Sequence, residues 1–366
     1  MLNILKVLAV IAGTGLIIFT IQSAVRMLVV PRSDNVWLTR TLFIWVQRFI
    51  RFELVVTGDM TYERRDAHMA FFAPVTLMLL PVVWLFLISI GYTPIYWALG
   101  YGDLYESYLF SGSSLLTLGF APVADWITML LSFSEATIGL ILIAMVIAYL
   151  PTMYNAFSER EKYVTMLEIR AGNPPTATTL LQRYYRNRGF EELSTLWVDW
   201  EQHFVQLEES HTSLAPLIFF RSPRGHRSWV TATGAILDAI ALQDAAVDMP
   251  REFRGVICLR AGYVALRSIA DFFDYPYNAE PSEDDPISIT RQEFDEAFDE
   301  LRDAGLPMVA DRDEAWRNFR GWRVNYDEVL LMLARMTMAP YAPWSSDRST
   351  PLMREVYSTD KKQRKQ

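Results

Sequence analysis

The chain has one cysteine, Cys258, in 366 residues, which excludes a disulfide framework and a thiolate metal site. Its four histidines, His68, His203, His211 and His226, are scattered, with no pair at a metal-ligand spacing, so a zinc or iron enzyme is not expected. The net charge of −8 comes without a concentrated basic face and argues against a nucleic-acid partner. No glycine-rich phosphate loop is present, nor a helix with arginine at every third position. A nucleotide-binding regulatory domain of that kind and voltage sensing through gating charges both lack support.

What the sequence has is apolar length. Three segments, about 7–30, 69–90 and 126–150, meet the requirement of roughly 20 mostly apolar residues for a membrane helix. A cleaved signal peptide is the alternative for the first, but its apolar run is long and residues 22–24 make a poor cleavage site. Basic residues set the orientation. The linker after the first segment holds Arg32, Arg40, Arg48, Arg51, Arg64 and Arg65, and Arg160, Lys162 and Arg170 follow the third. Residues 91–125 hold no Lys or Arg. The linker and the C-terminal half are therefore expected in the cytoplasm, with the N-terminus outside a cell (inner or plasma) membrane. Within the linker, residues 36–52 mix aromatic and aliphatic side chains with arginines, which suits an interfacial helix or one packed on the protein.

The expected fold class is an all-α membrane protein, with three transmembrane helices, a re-entrant pore loop and an α-helical cytoplasmic domain. Its expected divisions are an N-terminal helix (1–30), a linker (31–67), a helix–loop–helix module (68–158), a helical cytoplasmic domain (159–343) and a flexible tail (344–366). Helical spacing in that domain falls at about 193–210, 228–247, 253–273, 289–304 and 312–338. The acidic stretch 280–300 reads as a solvated face, because its spacing fits no calcium loop. The basic loop 223–228 either meets lipid headgroups or joins two helices. His203, on an aromatic helix, reads as a core residue.

The loop between the second and third apolar segments is too apolar for a solvated connection. Residues 104–120, LYESYLFSGSSLLTLGF, allow a short helix followed by a glycine-containing turn. Irregular backbone at membrane depth must be buried in protein or line water. Residues 69–162 resemble the two-helix pore domain of the potassium-channel superfamily, through the string SSLLTLGFA at 113–121. The resemblance covers about a quarter of the chain. It implies an ion-binding filter of backbone carbonyls over Thr117, Leu118, Gly119, Phe120 and Ala121, with Ser113 and Ser114 supporting it from the pore helix. Leu118 and Phe120 would then pack behind the filter. The competing string GYGD at 100–103 matches the end of the family's filter better by letters, but no pore helix precedes it. It reads as a turn opening the short helix, with Asp103 near the positive end of the helix dipole.

Departures from the family pattern fall at the outer end. Ala121 occupies the second glycine's place, where a left-handed alanine would cost on the order of 1–2 kcal/mol. Pro122 stands for the usual aspartate, and Ser113 for an acid behind the filter. In the third segment, Glu135 either supports the loop, faces a cavity or sits at the interface. Gly139 is a hinge or a close-packing glycine. Pro151 should kink or end the inner helix, which would put Tyr154 near an inner gate, unless Met153, Tyr154 and Phe157 form a packing stripe.

The function expected from the resemblance is a homotetrameric channel for potassium or a less selective monovalent cation, with that ion as permeant and with no cofactor, metal or catalytic residue. Four copies are implied because one loop supplies only part of a coordination ring. The alternative is a non-conducting membrane sensor or scaffold whose helical domain binds a partner or ligand. A membrane enzyme would need convergent acid, base or metal-binding residues, and Glu135 alone is not a site.

Overall fold

The computed structural model describes residues 2–30, 38–39, 41–43, 45–46, 48–49, 62–123 and 125–348. It divides into two compact units, Met1–Asn155 and Ala156–Gln366. The secondary structure is helical, with no β-strand among the described residues beyond one isolated bridge between Val247 and Met308.

The first unit contains α1 (Leu2–Leu28), α2 (Tyr62–Leu99), the short α3 (Leu104–Leu115) and the beginning of α4 (Trp126–Ala171). Three stretches, Asn3–Leu28, Asp66–Leu99 and Trp126–Ala171, are long and apolar enough to cross a membrane. A helix that is apolar on all sides, as these are, can be stable only when lipid or protein covers it. The described residues within 38–49 are helical, and the rest of the interfacial helix expected at 36–52 lies outside the described residues.

Two expected helix bounds need correction. The second helix does not stop near residue 90 but runs through Pro74, Pro81 and Pro94 to Leu99. The third does not end at Pro151 but continues for 20 more residues, to Ala171. A proline inside a helix removes one backbone hydrogen bond, and neighbouring protein groups can make good that loss in an apolar setting. α1 and α2 meet backbone to backbone, because a Cβ built on Gly13 would lie 2.3 Å from the Gly91 carbonyl oxygen.

The second unit holds the end of α4, then α5 (Ala177–Arg186), α6 (Leu193–Ser213), α7 (Trp229–Ala246), α8 (Phe253–Phe272), α9 (Arg291–Asp303), α10 (Arg312–Arg323) and α11 (Asp327–Met336). Its centre is α7, whose sequence WVTATGAILDAIALQDAA has no polar stripe and is buried almost throughout. The amphipathic helices α9, α10 and α11 keep their charged faces outward, and Thr290 and Asp311 cap the first two of them. The single helix expected over 312–338 is broken at 324–326. The break brings Arg323 and Tyr326 onto Asp238 of α7, with Arg323 Nη1 at 2.5 Å and the Tyr326 hydroxyl at 2.8 Å from its Oδ1. Arg323 also donates to Asp327 at 2.7 Å and to the Trp344 carbonyl at 2.6 Å, and it is wholly buried.

That last contact corrects the expected tail. Residues 344–348 are anchored, since Ser345 and Ser346 are buried and Arg348 pairs with Glu293 and Asp347. Residues 349–366 lie outside the described residues. The basic loop 223–228 joins α6 to α7 and is held to α4, where Arg227 pairs with Glu168 and donates to Thr165 at 2.9 Å. The acidic stretch carries exposed ion pairs such as Arg291–Asp313 and Arg312–Asp299.

Candidate functional site

The loop between α2 and α4 opens with GYGD. Gly100 and Gly102 take positive φ, 95° and 60°, which glycine adopts without steric cost. Asp103 then caps α3 in a reciprocal capping box: the Glu106 backbone N–H donates to its carboxylate at 2.9 Å, and Glu106 accepts from the Asp103 N–H at 3.2 Å. Because α2 reaches Leu99, no helix fits between it and Gly100, and GYGD opens the short helix.

The 12-residue α3 ends at Leu115, and the chain turns over residues 116–123. The backbone N–H groups of six successive residues point back at the end of α3. Leu116 donates to the Gly112 carbonyl at 3.1 Å and Thr117 to that of Ser114 at 3.1 Å. Leu118 and Gly119 donate to the Ser113 carbonyl at 2.9 and 3.3 Å. Phe120 and Ala121 donate to the Ser113 hydroxyl oxygen at 3.0 and 3.1 Å. The carbonyls of residues 116–121 accept no hydrogen bond among the described residues. Ser113 therefore organises the turn through both its backbone and its side chain, while Ser114 is spent on its own helix, donating to the Phe110 carbonyl at 2.9 Å.

Two residues of the turn are left-handed, Thr117 at φ 55° and Gly119 at φ 71°. The strain expected at Ala121 falls instead on Thr117, where it costs about 1–2 kcal/mol. Residues of opposite handedness in succession turn neighbouring peptide units the same way, which is how N–H groups gather on one side and carbonyls on the other. Leu118 and Phe120 do not pack behind the turn within this chain. They are 62% and 61% exposed, because the N–H groups and not the side chains face α3.

Behind the turn sits a polar knot. Glu135 of α4 is wholly buried; its Oε2 accepts from the Tyr96 hydroxyl of α2 at 2.9 Å and its Oε1 from the Ser111 hydroxyl of α3 at 2.5 Å. Ser111 is also 2.8 Å from the Ser89 hydroxyl of α2. One carboxylate thus ties three helices. A second tie joins the ends of the loop, with the Tyr101 hydroxyl donating to the Pro122 carbonyl at 2.7 Å. Tyr101 in turn packs against Phe110 with ring centres 4.2 Å apart.

Gly139 lies where α4 crosses the end of α3, and a Cβ there would meet the Leu115 carbonyl oxygen at 2.9 Å. Its lack of a side chain is what allows that close approach. Pro151 lies inside α4, Tyr154 is 67% exposed, Met153 is buried, and the Phe157 ring is 5.8 Å from that of Phe220. Within the first unit, no hydrogen bond or ring contact among the described residues joins Pro151, Met153 or Tyr154 to the turn. Tyr96, Ser111, Ser89 and Tyr101 were missed by sequence reasoning, although hydroxyls concentrated in an apolar loop, Ser111, Ser113 and Ser114 among them, were a signal of bonded backbone and buried acid. His203 is buried and stacked on Tyr163 at 4.0 Å, as a core residue. No cluster of three metal-ligating side chains occurs among the described residues. Compared with protein-family models, curated proteins and solved structures, the chain matches none.

Proposed function

We propose that the chain is one subunit of a homotetrameric channel for potassium or a less selective monovalent cation. The loop enters the membrane from the outer face, α3 acts as its pore helix, and four copies of the turn place carbonyls of Thr117–Ala121 around a common axis. The observation that carries this reading is the one-sided turn, with six N–H groups tied to α3 and the carbonyls of the same residues without partners among the described residues. Carbonyl oxygens in that state can replace a cation's hydration shell. The Glu135 knot fits the same reading, because it fixes α3 to both long helices and holds the turn's support still. Exposed Leu118 and Phe120 would be covered by neighbouring copies. The basic-residue asymmetry orients the C-terminal unit to the cytoplasm.

The test is potassium-driven flux into liposomes holding the purified protein, repeated with sodium and with Gly119→Ala. A Cβ on Gly119 meets nothing within 4 Å, so the substitution strains the left-handed backbone by about 1–2 kcal/mol without a clash. The variant is expected to fold and to lose conduction as that carbonyl turns away. Unchanged flux in the variant overturns the filter assignment.

A second reading is a non-conducting sensor or scaffold. It is favoured by the outer end of the turn, where Pro122 replaces an acid and its carbonyl is already taken by Tyr101. Absence of flux from a well-folded oligomer, across pH, calcium and voltage, would support it.

A further inference from the structure

A small cleft in the second unit lies between residues 218–222, the start of α7 and the chain that follows α11. Its volume is about 20 Å³. One water needs roughly 10–15 Å³, so there is room for a single small occupant. Arg221 and Arg227 border the cleft, and no acidic side chain does.

Three residues on this cleft carry a buried polar atom with no hydrogen-bond partner among the described residues: the Ser222 hydroxyl, Arg227 Nε and Trp229 Nε1. Trp229 is 3% exposed and Ser222 9%. A buried donor left unmet is costly, so three on one cleft point to something that bonds them. The rest of the Arg227 guanidinium is engaged elsewhere. Its Nη1 donates to Thr165 at 2.9 Å and its Nη2 pairs with Glu168, which is not part of the cleft lining.

The missing partner has to be an acceptor. An indole N–H and a guanidinium N–H can only donate, and a serine hydroxyl can donate as well. Carbonyls around the cleft are already taken. Those of Phe220 and Thr337 accept from Arg160 and Arg221, each at 2.6 Å, that of Pro340 accepts from Ser346, and that of Ser228 accepts from the Ala232 N–H at 3.0 Å. A water here would meet donors with its lone pairs but find few acceptors for its own two protons. An anion has no proton to place and can accept from all three donors. The helix field has the matching sign. α7 is 18 residues long and starts at the cleft with Ser228 as its cap, so the positive end of its dipole borders the site. A volume near that of one water suits a monatomic anion better than a tetrahedral oxyanion.

We propose that this cleft binds one halide ion, chloride being the ordinary one, through the Trp229 indole N–H, the Arg227 Nε–H and the Ser222 hydroxyl. The cleft lies wholly in the second unit, and the site is independent of the channel reading.

The experiment is chloride NMR line broadening by the full chain in detergent, with bromide and sulfate as competitors at constant ionic strength. Saturable broadening is expected, relieved by bromide and not by sulfate. Trp229→Phe removes one donor without altering charge and should weaken chloride about tenfold. Ser222→Ala should weaken it a few-fold, and it carries the test if circular dichroism shows Trp229→Phe to be unfolded. Arg224, exposed on the same loop, does not border the cleft, so Arg224→Gln should leave the affinity unchanged. That control separates the cleft from general attraction to a basic surface. The proposal is overturned by the absence of saturable broadening, which would leave the cleft to water, or by sulfate relieving it as strongly as bromide. It is equally overturned by an affinity that falls in Arg224→Gln and holds in the folded donor variants.

Discussion

Glu135 in the first unit and Asp238 in the second are both almost wholly buried carboxylates, and their neighbours differ in kind. Glu135 is met by two hydroxyls, from Tyr96 and Ser111, and by no basic side chain among the described residues. Asp238 is met by the guanidinium of Arg323, itself wholly buried, which also serves Asp327. An arginine in the first setting would bring a second charge out of water and lose more solvation than its attraction returns. Hydroxyls supply directional donors at far smaller desolvation cost, so an acid can be fixed in place without a counter-charge. In the second unit three charged side chains share one network, and each depends on the others for compensation.

Substitution separates the two designs. The largest effect is expected from Arg323→Met, which strands Asp238 and Asp327 and should destabilise the second unit by about 3–5 kcal/mol, measured by denaturant unfolding. A loss below about 1 kcal/mol would mean that the network is solvated and the contrast false.

The next effect is one of pH, again confined to the second unit. Burial, assisted by Arg160, holds the His203 imidazole down to about 3, below its unfolded value of about 6.5. The ring is neutral in the fold, so its share of stability is complete above about pH 6.5 and is lost as pH falls towards 3. Between pH 7 and pH 5 this amounts to about 2 kcal/mol. His211, also buried beside Arg160, is lowered as well and acts in the same direction. His203→Phe, which keeps a ring against Tyr163, should remove the His203 part of that slope in unfolding measured at both pH values. An unchanged slope would assign the acid sensitivity elsewhere.

The smallest effect is expected from Glu135→Gln. The amide can accept from one hydroxyl and donate to the other, so unfolding in detergent should shift by about 1 kcal/mol or less. A shift as large as that of Arg323→Met would show that the charge itself holds the first unit together.

Much of this arrangement was legible in the sequence. The turn GYGD, with Asp103 at the positive end of a helix dipole, placed the start of α3, and the structure adds the capping box with Glu106. The three apolar segments and the turn after α3 could be read from length and composition. Partnerships across distance could not. Tyr96 and Ser111 lie 39 and 24 positions from Glu135, and no local pattern joins them. The second and third helices run beyond the apolar segments 69–90 and 126–150, because a helix can continue past the stretch that marks it by hydropathy and a local rule about Pro151 yields to the surroundings of a long apolar helix. The break at 324–326 was hidden for a related reason, since the apolar spacing continues through it and only the burial of Arg323 and Tyr326 against α7 explains it.

Residues 116–123 contain no side chain that gains or loses a proton. What the turn itself contributes to the field in front of it therefore comes from peptide dipoles, aligned because their N–H ends are tied to α3. Acidification that silences a ring of carboxylates leaves such a field standing. That part of the field lasts for as long as Ser113 keeps its bonds.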